Sequence, residues 1–409
     1  MEDLLAALVQ APTTLGDEEP GQALIERALT ECGLAPESIW MDAEAIRADP
    51  RSSPFSWDLS GKRNVVARWA GAAPERGRSV VLNGHIDVVP PASEALWTSP
   101  PFAARRDGDW LYGRGAGDMK AGLVAMIGAV KALRDAGVVL NGDVTLQSVV
   151  EEECTGNGAL QCLLAGSGAD ADAAILTEPH HDHFTLAQVG VLWFHVDVRG
   201  VPAHAARAST LGFNALDGVQ RVLAELRALE AELNAQRGDH AWYAEIEHPI
   251  NLNPGVLTGG DWASTVPAEA TLSCRLALYP GQEPADLQRR VEAAVAKVEG
   301  AAVRYDGFVC EGCEVDRDAP LVGALSEAYR SVHGGKGPAL VATTATTDAR
   351  HFVRRGIPAI CFGPRAEAIH GIDERVSLSS MAEVARVLAR FLVGWCGDSN
   401  QGESSHVHR

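Results

Sequence analysis

A histidine, an aspartate, two glutamates and a second histidine stand mostly where an apolar run gives way to a loop. Gly84-His85-Ile86-Asp87 follows Val80-Val81-Leu82, the place where a strand ends and functional loops begin. A neutral imidazole is a good zinc ligand, and a carboxylate two residues on can accept its second N–H and fix the tautomer. A plain polar turn is the competing reading. Leu111 to Lys120 (LYGRGAGDMK) is a glycine-rich loop opening onto an apolar helix. Glycine permits positive φ and close backbone approach there, and Asp118 either bridges two cations or caps the helix. A phosphate loop is excluded because the Gly-Lys-Ser/Thr ending is absent.

Glu151-Glu152-Glu153 follows an apolar strand ending at Val150, with Thr155, Gly156 and Gly158 in the loop behind it. Adjacent acids repel one another unless cations lie near, although a solvated acidic patch has the same composition. Glu178 stands just past the apolar run Ala173–Leu176 and before Pro179, and His370 lies in Ala368-Ile369-His370-Gly371. Together His85, Asp118, a glutamate of the triplet, Glu178 and His370 form a hard-to-borderline donor set suited to two zinc ions. A bridging carboxylate leaves room for a water whose pKa falls towards about 7, and for a glutamate to take its proton.

The elements that must position these residues follow from periodicity. Helical spacing runs over 22–34 and 121–136, with β-rich runs at 65–69, 79–82, 143–149 and 173–176. Continuous apolar strands alternating with helices predict an α/β fold with a mixed, largely parallel sheet flanked by helices. After about Ala187 the texture changes to alternating runs at 191–198 and 270–278, with helices at 215–235 and 284–298. That block predicts an inserted, smaller α/β sandwich. From about Asp318 the first texture returns, with helices at 321–333 and 380–395 around an apolar run at 359–362. The expected organisation is a main domain over 1–188 and 311–396, an inserted domain over 189–310, and a frayed polar tail over 397–409.

A chain of 409 residues with 46% hydrophobic residues and net charge −19 is long enough for more than one core and has no basic stripe for nucleic acid. No membrane-spanning run is present, and the first segment carries acids where a signal peptide carries positive charge. A cytoplasmic protein is expected. Cysteines scattered through so large a chain argue against a disulfide framework. Cys310 and Cys313 have C-x-x-C spacing, but no second pair completes a structural zinc site.

From NVVARW near Asn64 to Trp395, the motifs and their order resemble the dinuclear zinc amidohydrolases that include acetylornithine deacetylase, succinyl-diaminopimelate desuccinylase, aminoacylase and glutamate carboxypeptidase. The resemblance implies two zinc ions per chain, with cobalt or manganese as substitutes. It places His85 and Glu178 on one ion, Glu153 and His370 on the other, and Asp118 between them. Glu152 is then the general acid/base and Asp87 the carboxylate behind His85. The family usually shows Asp-Glu-Glu where this chain has Glu-Glu-Glu, and aligning Glu151 with that aspartate puts Gly158 on the family's glycine. A glutamate at 178 resembles deacylases and carboxypeptidases more than aminopeptidases.

The inserted block resembles the family's lid and dimerisation domain, implying a homodimer. Gly200-Val201-Pro202-Ala203-His204-Ala205 matches the segment whose histidine, often delivered across the dimer, polarises the scissile carbonyl. Asn253 and Arg275 lie on segments resembling the lid strands that touch substrate, with Arg275 suited to a carboxylate or to a local acid. Thr343–Asp348, including Thr347, occupies the family's substrate loop. The histidines His180, His181 and His183 read as a surface run rather than further ligands. The activity implied is hydrolysis of a small N-acylated amino acid or related carboxylate-bearing amide. A dipeptidase or carboxypeptidase is the alternative, and an inactive zinc-binding regulatory protein is a remote one.

Overall fold

The computed structural model describes residues 1–179 and 182–397. His180, His181 and the polar tail after Gly397 lie outside the described residues.

A nine-stranded sheet forms the base of the molecule. Its centre is parallel: Val144–Val149, Val80–His85, Ala174–Leu176 and Ala359–Cys361 lie side by side. Arg63–Trp69 and then Pro36–Trp40 extend one flank in antiparallel fashion. On the other flank, His183–Gln188 pairs with Ala339–Thr343 and Cys313–Glu314. These central strands read as continuous apolar runs because both faces are covered. Val80, Leu82, Leu146 and Ile175 pack against the helices Glu2–Gln10, Glu19–Glu31, Ala121–Asp135, Pro320–Val332 and Leu378–Cys396. Val81, Ala174 and Leu176 point the other way, towards Leu163 and Phe352 on the helices Asn157–Leu164 and Ala349–Val353. The period of two along a strand sorts the side chains between the layers.

A separate antiparallel sheet runs in the order Leu252–Gly259, Glu269–Leu278, Gly190–Arg199, Ala301–Arg304, with Val309–Cys310 also on Gly190–Arg199. Leu192, Phe194, Val196 and Leu272, Cys274, Leu276 turn to the helices Ala215–Ala235 and Pro284–Val295 and form a second core. The alternate residues, including Trp193, His195, Ser273 and Arg275, stand on the opposite face. The alternating runs expected at 191–198 and 270–278 and the helices expected at 215–235 and 284–298 all fall in this layer.

The helix expected at 22–34 runs over Glu19–Glu31, beginning earlier because Pro20 fits its first turn. A small antiparallel sheet of Ala366–Glu367, Arg375–Ser377, Trp110–Tyr112 and Arg105–Asp107 has no counterpart in the sequence reading; strands of two or three residues are too short to show a period. All the cysteines are free and buried, Cys310 and Cys313 included. Among the described residues no helix is long and apolar enough to cross a membrane.

Candidate metal centre and active site

His85 is the last residue of its strand, Glu152 and Glu153 follow Val144–Val149, and Glu178 follows Ala174–Leu176. They converge because these strands are parallel and end at one edge of the sheet. Asp118 arrives on the loop before the helix Ala121–Asp135, and His370 on the loop between Ala366–Glu367 and Arg375–Ser377. No side chain caps the helix Ala121–Asp135, so Asp118 is not its cap.

Donor atoms of His85, Asp118 and Glu178 lie within 4.8 Å of one another, and those of Asp118, Glu153 and His370 do likewise. Asp118 belongs to both groups. Its Oδ1 is 3.1 Å from His85 Nε2 and its Oδ2 is 3.3 Å from His370 Nε2. Glu153 lies 3.1 Å from His370 Nε2 on the outer side. Between the groups, Glu152 Oε2 is 3.9 Å from His85 Nε2, while its buried Oε1 has no hydrogen-bond partner.

The electrostatics of this cluster are in conflict. Burial and the neighbouring acids Asp348, Glu178 and Glu153 push the Glu152 carboxyl well above its ordinary range, and Glu178 is raised in the same way by burial and by Asp118, Glu153 and Asp348. Burial opposes charge on His370, but Glu153 and Asp118 outweigh it and raise the imidazole to about 11. His85 is raised well above its usual value, since Asp118 and the nearby acids overcome its burial. Asp118 is held far below the carboxylate range despite burial, because it accepts from both imidazoles. Carboxylate oxygens and imidazole nitrogens in two groups joined by one carboxylate fit two divalent cations of the zinc type. Held by these residues, such cations would let every acid ionise and would leave both imidazoles neutral, as metal ligation requires.

The structure changes the expected role of Asp87. His85 Nδ1 is 2.9 Å from the backbone carbonyl of Asp87, with the Asp87 carboxylate 3.8 Å away. That carboxylate instead accepts from the backbone N–H groups of Glu152 and Glu153, at 3.2 and 3.0 Å. Those amides stand in a turn with no helix or strand partner to offer, and Asp87 supplies it. It holds the glutamate turn directly and the His85 ring through its main chain.

Glu151 faces away from the donor groups. Its φ is +63°, and its carboxylate takes hydrogen bonds from Lys62, Trp57 and Thr155. Glu152 and Glu153 are thereby the two that reach the cluster. A side chain at Gly158 would stand 2.0 Å from the Val150 carbonyl oxygen, so only glycine fits behind this turn.

Glu374 was not singled out in the sequence. Fully buried, it accepts from Arg114 and from the backbone N–H groups of Gly115, Gly117 and Asp118. Arg114 in turn donates to the carbonyl of Gly371. One carboxylate and one guanidinium thus clamp the Asp118 loop to the His370 loop. The available signal was only Glu374's place four residues after His370, which reads as a surface acid.

A cavity of about 640 Å³ opens over Glu152, Glu153 and His370 and runs under the second sheet. Asn253 and Arg275 line it as expected, and so do Trp193, His195 and Phe308, which sequence reasoning passed over. Alternation along 191–198 put Trp193 and His195 off the core face; nothing marked Phe308. Thr347 does not line the cavity. It is buried, donating to Gln188 at 2.6 Å, while Thr343, Thr344 and Thr346 of the same loop face the space. His204 is likewise absent from the lining: it is exposed, bridged to Thr265, with Nδ1 accepting from the Ala206 amide. His183 begins a sheet strand and is in neither donor group.

The chain is 29% identical over 370 residues to an N-formyl-4-amino-5-aminomethyl-2-methylpyrimidine deformylase of Bacillus subtilis (strain 168), covering 83% of this chain and 85% of that one. It is 31% identical over 409 residues to a succinyl-diaminopimelate desuccinylase of Methylobacterium sp. (strain 4-46), covering 95% and 94%. Its fold is similar to that of an M20 family metallo-carboxypeptidase, Sso-CP2 from Sulfolobus solfataricus, with TM-score 0.73, 18% identity, and 96% and 98% of the two chains covered. Residues 81–393, which hold every member of both donor groups, match peptidase family M20/M25/M40, and the chain belongs to that family of metal-dependent amide-bond hydrolases.

Proposed function

We propose that this hydrolase is a two-metal deacylase acting on a small N-acylated amino acid or related carboxylate-bearing amide. The observation that carries the reading is Asp118, whose two oxygens serve two separate donor groups. The relatives named deformylase and desuccinylase support deacylation. Zinc is the metal that this mixture of carboxylate and imidazole suits, with His85 and Glu178 holding one ion and Glu153 and His370 the other.

The chemistry that two cations held by these residues would supply is polarisation of the scissile carbonyl and activation of a water. Glu152, with one buried oxygen unpartnered, takes the proton from that water and delivers it to the leaving amine. Asp87 keeps Glu152 and Glu153 in place through their amides. Arg275, half-buried and donating to the Thr344 carbonyl at 3.3 Å with no acid paired to it among the described residues, is available to a substrate carboxylate.

His204 reaches such a site from a second copy of the chain. It stands in the inserted domain, whose edge strand Leu252–Gly259 exposes Val256 and Leu257, with Leu211 and Trp262 also exposed. An exposed edge with apolar side chains invites pairing, and a homodimer through this domain is the assembly proposed. His204→Ala is expected to lower kcat by roughly 10²–10³-fold, as for a lost oxyanion donor, with metal content unchanged. Loss of metal in that variant would refute the role. Sedimentation velocity checks the dimer.

Glu374→Gln tests the clamp. The amide keeps the size but offers one acceptor oxygen in place of two, so Asp118 loosens and metal affinity is expected to fall about 10–100-fold. Competition with a chromophoric chelator measures it, and unchanged affinity in a folded variant contradicts the clamp. Free buried thiols and an acidic chain support a reducing, cytoplasmic setting. The reading as a whole is tested by amine release from N-acyl amino acids set against dipeptides. Arg275 serves a peptide's terminal carboxylate equally well, so preference for dipeptides would move the protein to the peptidase side of the family.

A further inference from the structure

Among the described residues lining the cavity, the acids come from the catalytic sheet alone. The wall supplied by the second sheet is of another kind. Trp193 and Phe308 meet there edge to face, with ring centroids 5.5 Å apart and planes at 82°. The Phe308 carbonyl accepts from the Trp193 amide at 2.6 Å. Gly307, at φ +87°, lets the indole lie on the backbone, since a Cβ there would stand 2.4 Å from the ring. The Arg350 guanidinium sits 5.2 Å over the Phe308 ring. The aromatic wall is therefore built into the fold rather than left by chance.

Arg275 is the residue directly opposite Trp193 in the antiparallel ladder. Opposed residues have Cβ atoms roughly 4.5–5.5 Å apart on one face of the sheet, so guanidinium and indole address neighbouring points of a ligand. His195, one pair along, is engaged with Ser273 at 2.8 Å. Arg275 is the guanidinium of this wall, and Val256 and Val89 add apolar surface beside it.

Resting on the deacylase reading above, we infer that the amine half of the substrate is an α-amino acid with a large apolar or aromatic side chain. Its carboxylate meets Arg275 and its side chain packs on Trp193 and Phe308. Arg275 and Trp193 start from opposed positions on one face of the sheet, a spacing that suits a carboxylate and a side chain carried on the same carbon. Among the described residues lining the cavity no other arginine or lysine awaits a second carboxylate and both acids belong to the metal centre, while a small side chain leaves the aromatic wall uncovered.

The test is kcat/KM for N-acetyl derivatives of phenylalanine, tryptophan, leucine, alanine, glutamate and lysine, with N-acetylphenethylamine as the carboxylate-free analogue. Phenylalanine, tryptophan and leucine are expected to exceed alanine, glutamate and lysine by about 10–100-fold, and the carboxylate-free analogue to fall below N-acetylphenylalanine by at least as much. Trp193→Ala and, as a milder change, Phe308→Leu should narrow the phenylalanine-to-alanine ratio. Equal or better turnover of alanine, glutamate or lysine, or of the analogue without a carboxylate, overturns the inference while leaving the deacylase intact. Calorimetric binding of N-acetylphenylalanine and N-acetylglutamate to zinc-loaded Glu152→Gln separates the two ideas. Tighter phenylalanine binding without turnover by the wild-type chain sinks the deacylase alone, and no such preference sinks the inference.

Discussion

Glu152→Gln is expected to lower kcat by roughly 10²–10⁴-fold, the range lost when a general base is removed, and to leave both metals bound. Glu152 belongs to neither donor group, yet it is buried between them with one oxygen unpartnered. Glutamine preserves the volume and removes the proton acceptor. Glu153→Gln should behave in the opposite sense. Glu153 is a member of the outer group with His370, so its loss weakens one metal first and activity as a consequence. Measuring metal content and steady-state rates on the two variants side by side distinguishes them. If Glu152→Gln lost metal and Glu153→Gln kept it, the roles within the glutamate triplet would be exchanged.

Asp118→Ala carries the second large effect. Every other donor serves one group, whereas Asp118 serves both, at 3.1 and 3.3 Å from His85 and His370. Its removal is expected to release both metals and reduce activity to background. If the wild-type chain binds zinc here, mass action is expected to stabilise it by about 2.7 kcal/mol at a hundredfold excess over Kd. The variant should therefore show no rise in Tm on adding zinc. A zinc-dependent rise equal to that of the wild type would mean that the bridge is not Asp118. The opposite control is a chelator, which should lower the wild-type Tm towards that of the variant.

The donor residues were legible because each is tied to punctuation in the chain. His85, Glu153 and Glu178 follow apolar runs that must end at one sheet edge, and Asp118 sits in a glycine-rich loop whose spacing is hard to miss. His370 was a candidate by residue type alone, since its short flanking strands carry no period, and the resemblance supplied its pairing with Glu153. Residues that position others were harder. Asp87 was expected to hold His85 through its carboxylate, but the amides of Glu152 and Glu153 compete for that group, and only the folded turn shows which wins. Glu374 acts on backbone N–H groups 256 to 259 residues away in the chain, and no local pattern reports such a partner.

The substrate loop shows the same limit. In Thr343–Asp348 four of the six residues are threonines, and composition alone does not say which faces the cavity. Thr347 turns inward to Gln188 while Thr344 and Thr346 turn out. His204 is a different case. The sequence placed it in a recognisable segment, but one chain leaves it exposed and away from the cavity lining, so the role proposed for it would require a second copy of the chain. The inserted sheet, by contrast, was visible from alternation alone, since its helices cover one face and leave the other to the site.

The most direct measurement of the central claim is metal stoichiometry, by plasma mass spectrometry, on the full chain purified without chelator and on Asp118→Ala prepared identically. The account expects about two equivalents of divalent metal per wild-type chain, as a two-metal hydrolase requires, and close to none in the variant. A folded wild-type chain that holds no metal after zinc is restored, or a variant that keeps the full complement, would contradict it.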